Sequence, residues 1–367
     1  MNREKAVAWI VAFLILIASP QFTYFFLGKY VDTENYENRE AAEEPVLTID
    51  NFETFPEEYE EYYDDNIPFR NQLIRLSSSI DYYAFHQSSS DYVEIGEDGW
   101  LYYCRESDGD PIEQSLGYWT FTEEQLQQIA ENLIATEEVL TDRGIEFVLF
   151  IAPNKETIYP EYIPDYYSVQ SDTTSVDQLV EYLRDNTDIR VVYPKEELLS
   201  AKEESDLLFY KKLDTHWGNL GGYIGAAALL KELGVAVPYV FDLDFTETYL
   251  SSGDLTNMLN ITIKNGDINY DIHGITDLYT IGWAETNIYE GETSGADSRK
   301  LFVRRDSYCM AMGSLLESQF NDVMFVKSSS FDQQQIFDYD ADIFVYETVE
   351  RNIKGLLSFQ ISEESTE

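Results

Sequence analysis

The sequence predicts an α/β fold, a mostly parallel sheet with helices on both faces, preceded by one N-terminal transmembrane helix. Three observations predict it. Short, nearly continuous apolar runs such as Ile145–Ile151, Leu301–Val303 and Ile343–Tyr346 read as strands buried on both faces. Segments with apolar residues at helical spacing alternate with them. One long apolar stretch opens the chain, and no second stretch of that kind follows.

The chain has 367 residues, enough for one large core or one core plus a small appendage. Hydrophobic residues make up 44% and aromatics 15%, which excludes a mainly disordered protein. With 69 Asp and Glu against 24 Lys and Arg, the formal net charge is −45. A surface this acidic repels phosphate backbones and anionic lipid heads, so nucleic acid is not an expected partner. The acidity itself reads as solubility, or as adaptation to salt and divalent cations.

Residues 1–5, Met1-Asn2-Arg3-Glu4-Lys5, are a basic lead before the apolar run 6–27. That run is long enough to cross a hydrocarbon core of about 30 Å. Basic residues before it and an acidic segment after it predict a cytoplasmic N-terminus and an exported remainder, held at the cell membrane by a single span. A cleaved signal peptide is the alternative. Its candidate site, Ile17-Ala18-Ser19, puts Pro20 just after the cut, so an uncleaved anchor is preferred. Residues 28–50 are polar and acidic and read as a linker.

Residues 51–95 form a helical lead-in. Pro68 suits a first helical turn, and Phe69, Leu73, Leu76, Ile80 and Tyr83 make one apolar stripe, expected to pack on the main domain. The main domain is assigned to 96–357. Tyr92–Ile95, the turn Gly96–Gly99 and Trp100–Tyr103 read as a hairpin leading into it. Thr122 with Gln125 makes a capping box for a helix that Gly144 stops, and Ile145–Ile151 follows as a buried strand. A helix near 175–186, a strand at 189–193 and a helix after Pro194 repeat the rhythm. Leu207–Tyr210 is a further strand candidate, and Asn219–Leu233 a helix closed by Gly234. Residues 238–297 break the alternation and read as an insertion. Strand and helix resume at Leu301–Val303, 309–318, Val323–Val326 and Ile343–Tyr346, and 358–367 is an acidic tail expected to fray.

Chemistry-bearing residues are few. Cys104 and Cys309 match no zinc spacing; they pair as a disulfide or stay as two buried thiols. No metal or organic cofactor is expected. Of three histidines, His216 stands in Lys212-Leu213-Asp214-Thr215-His216-Trp217-Gly218, after a strand candidate and before a helix. In extended backbone Asp214 and His216 share a face, so the carboxylate can hold the imidazole in one tautomer. The same spacing also suits a structural histidine at a helix start. Ser307, in Arg305-Asp306-Ser307-Tyr308, lies between a buried strand and a helix, where a nucleophile is exposed and an oxyanion stabilised; an ordinary serine N-cap occupies the same place.

Together these segments resemble the SGNH-hydrolase-like domain of the alginate O-acetyltransferase type (AlgX/AlgJ), in the branch of envelope proteins named for an Asp-His-His-Trp motif. Asp214-x-His216-Trp217 precedes Asp306-Ser307-aromatic by about ninety residues, the order this family has. Glu94–Tyr102, Ala152–Pro160, Ser252-Gly253-Asp254-Leu255 and Tyr346–Arg351 resemble further elements of it. Thr215 replaces the middle His of the naming motif, and Arg305 stands where many relatives carry Gly.

The resemblance implies Ser307 as nucleophile, His216 as general base and Asp214 as its orienter. Lys155, Tyr159, Trp217 and Asn257 become candidate substrate-binding residues, and Asn154 and Asn257 candidate oxyanion amides. It implies O-acyl transfer, acetyl above all, to a hydroxyl of an envelope glycan or exopolysaccharide. The acyl donor would come from a separate membrane-bound O-acyltransferase. With water as acceptor the same triad is a carbohydrate esterase; without a reactive Ser307 the domain is a glycan-binding scaffold.

Overall fold

The opening apolar run folds as helix α1, Arg3–Leu27, with Trp9, Leu16 and Phe25 exposed along it. Among the described residues it is the one helix long and apolar enough to cross a membrane. This computed structural model describes residues 3–28, 42–49, 51–275, 286–292 and 295–362, so most of the linker lies outside the described residues. The chain divides into two compact units, Met1–Ser89 and Ser90–Glu367.

The first unit continues with α2, Phe55–Asp65, and α3, Arg70–Ile80. Phe69 takes a left-handed conformation (φ 63°), which breaks the helical path. Pro68 therefore lies ahead of α3, not in its first turn. One wider turn, Asp81–Phe85, extends α3 and ends at His86, also left-handed.

The second unit opens with the expected antiparallel hairpin, β1 (Val93–Ile95) and β2 (Leu101–Tyr103). Next come α4 (Pro111–Ser115) and α5 (Glu123–Thr141), where Thr122 and Gln125 cap each other reciprocally. β3 (Glu146–Ala152), α6 (Lys155–Ile158), α7 (Ser175–Asn186), β4 (Val191–Val192) and α8 (Lys195–Glu204) follow. Leu207–Tyr210 is not a strand. The Leu208 N–H donates to the Tyr270 hydroxyl (3.2 Å) and the Phe209 N–H to the Tyr159 hydroxyl (3.0 Å). Tyrosine side chains thus take the donors that a neighbouring strand would have used.

After α9 (Asn219–Glu232), residues 238–297 hold β5 (Phe245–Leu250), α10 (Asp254–Met258), β6 (Asp267–Ile272) and β7 (Ile288–Glu292). The chain then runs β8 (Asp297–Arg305), α11 (Met310–Gln319), β9 (Phe320–Lys327), α12 (Gln334–Asp338) and β10 (Ile343–Val349). β5 and β6 form a separate antiparallel pair. The main sheet has the order β4-β3-β10-β8-β9-β7. Its first five strands are mutually parallel, and β7 runs antiparallel to β9, so the sheet is mixed. That antiparallel edge comes from the segment set apart as an insertion.

Alternation along β3 divides the core. Val148, Phe150 and Ala152 face the layer of α8, α9 and α11, with Leu229 and Met312. Phe147, Leu149 and Ile151 face α5 and α7, with Ile129 and Leu179. The acidic tail is not free from its start: Ile361 is buried, and its N–H donates to the Thr136 hydroxyl (3.0 Å). Residues 363–367 lie outside the described residues.

Candidate active site

Two segments meet at the carboxyl end of β8. One is the turn Asp306–Cys309 that carries Ser307 into α11; the other is the arm Lys211–Trp217 that leads into α9. The helices that follow pack closely. A β-carbon on Gly222 of α9 would clash with the Ala311 side chain and come 2.7 Å from its carbonyl carbon. Two reciprocal bonds lock the segments: Trp217 Nε1 donates to the Tyr308 carbonyl (2.8 Å), and the Tyr308 hydroxyl donates to the Thr215 carbonyl (2.6 Å).

This docking places Asp214, His216 and Ser307 in series. His216 Nδ1 is 2.7 Å from Asp214 Oδ1, and His216 Nε2 is 2.7 Å from Ser307 Oγ. With an ionised Asp214, the Nδ1 proton points at the carboxylate and Nε2 is left to accept from the serine hydroxyl. Burial pushes the Asp214 carboxyl up. The hydrogen bond from His216 and the charge of Lys211, 3.5 Å away, outweigh it and hold the group well below the usual carboxylate range.

Asp214 also accepts the N–H of His216 (3.0 Å) on Oδ1 and that of Asp254 (3.2 Å) on Oδ2. Asp254 in turn accepts from the Thr215 N–H (2.8 Å) and hydroxyl (2.5 Å), and its Oδ2 lies 3.5 Å from His216 Nδ1. Asp214, His216 and Asp254 each bring one ligand atom within 4.8 Å of one another. Hydrogen bonds between these side chains and to Thr215 make the cluster a network around the imidazole.

The serine turn has its own brace. Asp306 accepts from the Tyr308 N–H (2.8 Å) and the Val349 N–H (2.7 Å), and its own N–H donates to Glu347 (2.6 Å). Burial, and then the neighbouring Asp306 carboxyl, pushes Glu347 well above the usual range. The Arg305 guanidinium is buried and donates to the carbonyls of Thr286 (3.1 Å) and Asp306 (3.5 Å). Ser307 itself is exposed.

The remaining sequence candidates fall around this centre. Lys155 is fully buried, its ammonium donating to the carbonyls of Lys211 (3.2 Å), Lys212 (3.3 Å) and Asp214 (2.7 Å). Tyr159 is buried against Trp100 with ring centroids 4.5 Å apart, its hydroxyl accepting from Phe209. Trp217 is buried at the junction of arm and turn. Asn257 is exposed on α10. The side-chain amide of Asn154 donates to Gln114 Oε1 (3.2 Å). Cys309 is a buried thiol and Cys104 a half-buried one, with no disulfide between them. His273 pairs with the Thr246 hydroxyl at 2.8 Å on the β5–β6 hairpin. The sequence reading gave no role to Asp306 or Asp267, and none to Asp254 beyond its place in a Gly-Asp-Leu element. That glycine was the one available signal: a β-carbon on Gly253 would lie 2.7 Å from Asp214 Cβ.

Comparison with known proteins bears on this arrangement. The family model of the SGNH hydrolase-like domain of acetyltransferase AlgX matches residues 93–277, a stretch that includes Asp214 and His216 and stops before Ser307. A probable alginate O-acetylase AlgJ of Pseudomonas syringae pv. tomato is 26% identical over 214 residues, 54% of this chain and 49% of its own. That of Pseudomonas aeruginosa is 27% identical over 177 residues, 48% of this chain and 41% of its own. The chain thus spans about half the length of these curated relatives. Among solved structures, Bacillus cereus PatB1 superposes with a TM-score of 0.54 at 14% identity, over 73% of this chain and 99% of that one. A DHHW family protein from Eubacterium siraeum gives 0.52 at 16% identity, over 74% and 100%. At such identities the likeness speaks for the fold. On the family match, this chain belongs to the SGNH hydrolase-like domain family of the acetyltransferase AlgX.

Proposed function

We propose that the chain is a membrane-tethered, extracytoplasmic O-acyltransferase that moves an acyl group, acetyl above all, onto a hydroxyl of an envelope glycan or exopolysaccharide. The observation that carries this reading is the series Asp214–His216–Ser307, hydrogen-bonded at 2.7 Å on both sides of the imidazole. Ser307 Oγ attacks the acyl carbonyl while His216 Nε2 takes its proton, and Asp214 steadies the imidazolium that forms. Collapse of the tetrahedral intermediate releases the donor's alcohol or thiol, which takes the proton back, and leaves an ester on Ser307. A sugar hydroxyl, deprotonated by His216, then accepts the acyl group and frees the serine.

The acceptor class is supported by the relatives named as probable alginate O-acetylases. α1 supports a single-pass anchor, which we orient with its basic end in the cytoplasm. Acyl-CoA is then on the wrong side of the membrane, so the acyl group must be delivered by a membrane-bound O-acyltransferase. A short acidic linker keeps the domain at high effective concentration near that partner.

The test uses the full chain in detergent, p-nitrophenyl acetate as donor and uronate or neutral oligosaccharides as acceptors, with mass analysis of the sugars. Acetylated sugar that disappears with Ser307→Ala is the expected result. Ser307-dependent nitrophenol release with no acetylated sugar would make the protein an esterase.

A further inference from the structure

The arm that carries Asp214 and His216 belongs to no helix and no sheet ladder, and charged side chains meet many of its backbone groups. Asp267 accepts from the N–H groups of Lys212 and Leu213, both at 2.9 Å. Asp254 accepts from the Thr215 N–H at 2.8 Å. The carbonyls of Lys211, Lys212 and Asp214 converge on the Lys155 ammonium. An ammonium has three donors and no acceptor, and here each donor has a carbonyl.

A fully buried ammonium is costly to desolvate, and packing alone would be served by an apolar chain of similar length. Burial pushes Lys155 down from its usual range, against the opposing charges of Glu156, Asp254, Asp214 and Asp267. Placed in α6, directly after β3, the residue is anchored to the sheet. The 2.7 Å bond ends on the carbonyl of the same Asp214 whose carboxylate meets His216.

We propose that Lys155 is a positioning residue: its ammonium fixes the arm to the sheet in the register that brings His216 onto Ser307. The inference rests on the triad reading above. It differs from a purely structural role in a measurable way. A structural lysine governs how much protein folds, whereas a positioning lysine governs how fast the folded protein's serine reacts.

The experiment follows labelling of Ser307 by a fluorophosphonate in the full chain, wild type against Lys155→Met. The limiting rate of labelling and the probe's half-saturation are measured separately on protein shown to be folded by its melting transition. A shift of about 1 Å in a reacting pair costs on the order of a hundredfold in rate. The expected result is therefore a limiting rate lowered by about a hundredfold, with half-saturation within about twofold of wild type. A folded variant with a wild-type limiting rate overturns the proposal. Should Lys155→Met fail to fold, Lys155→Gln, which keeps two donors on a shorter stem, is read by the same two outcomes. Wild-type protein that does not label at Ser307 sinks the triad reading first, so the two failures are told apart.

Discussion

Glu350 is where pH reaches the support of the site. Its buried carboxyl accepts from the Asn154 N–H (2.7 Å), the Thr157 hydroxyl (2.7 Å) and the Tyr193 hydroxyl (3.0 Å), tying the start of α6 to the end of β10. Burial pushes it up to about 7 from 4.5, against these hydrogen bonds. Between those values the folded chain binds a proton that the unfolded chain has released, so stability falls as pH rises through the window. The melting temperature of wild type should decline relative to Glu350→Gln across that range. A constant difference between the two would show that Glu350 does not titrate there. Roles at this scale were only partly legible in the sequence. His216 stood out because histidine is scarce and its neighbours are Asp214 and Trp217. Lys155 was a candidate only through the family resemblance, and there as a substrate-binding residue, since nothing local distinguishes a buried lysine from a solvated one. Asp254 and Asp267 act on backbone groups 39 to 55 positions away, a pairing no local pattern encodes.

Elements were more legible, for a physical reason. A buried strand or an amphipathic helix is written in periodicity, and caps such as Thr122 with Gln125 mark its start. Leu207–Tyr210 misled because its apolar pattern suits a strand, while its donors go to the hydroxyls of Tyr159 and Tyr270. β7 escaped notice because an edge strand, Ile288–Glu292 with a Gly between two Glu, shows little alternation. What the site needs from the elements is the close approach of α9 and α11, which begin just after His216 and Ser307. Gly222 permits it. Valine there should destabilise the fold by about 1–3 kcal/mol through overpacking. It should also slow Ser307 labelling, because the helices carry His216 and Ser307 apart. A Gly222→Val protein with lowered melting temperature and a wild-type labelling rate would show that this approach does not set the pair.

At the scale of the whole molecule, the α/β class followed from the alternation of elements. The mixed sheet did not, because its antiparallel edge strand lies in a segment with no regular pattern. The apolar helix falls in the unit Met1–Ser89, and Asp214, His216 and Ser307 fall in the unit Ser90–Glu367. A net charge of −45 disfavours docking on anionic lipid heads or nucleic acid. The most direct measurement treats the full chain in detergent with a serine-directed fluorophosphonate and locates the adduct by intact-mass and peptide analysis. The triad predicts one adduct on Ser307, absent from Ser307→Ala and His216→Ala and formed roughly ten-thousandfold more slowly in Asp214→Asn. No adduct, or labelling that survives both alanine substitutions, would contradict it.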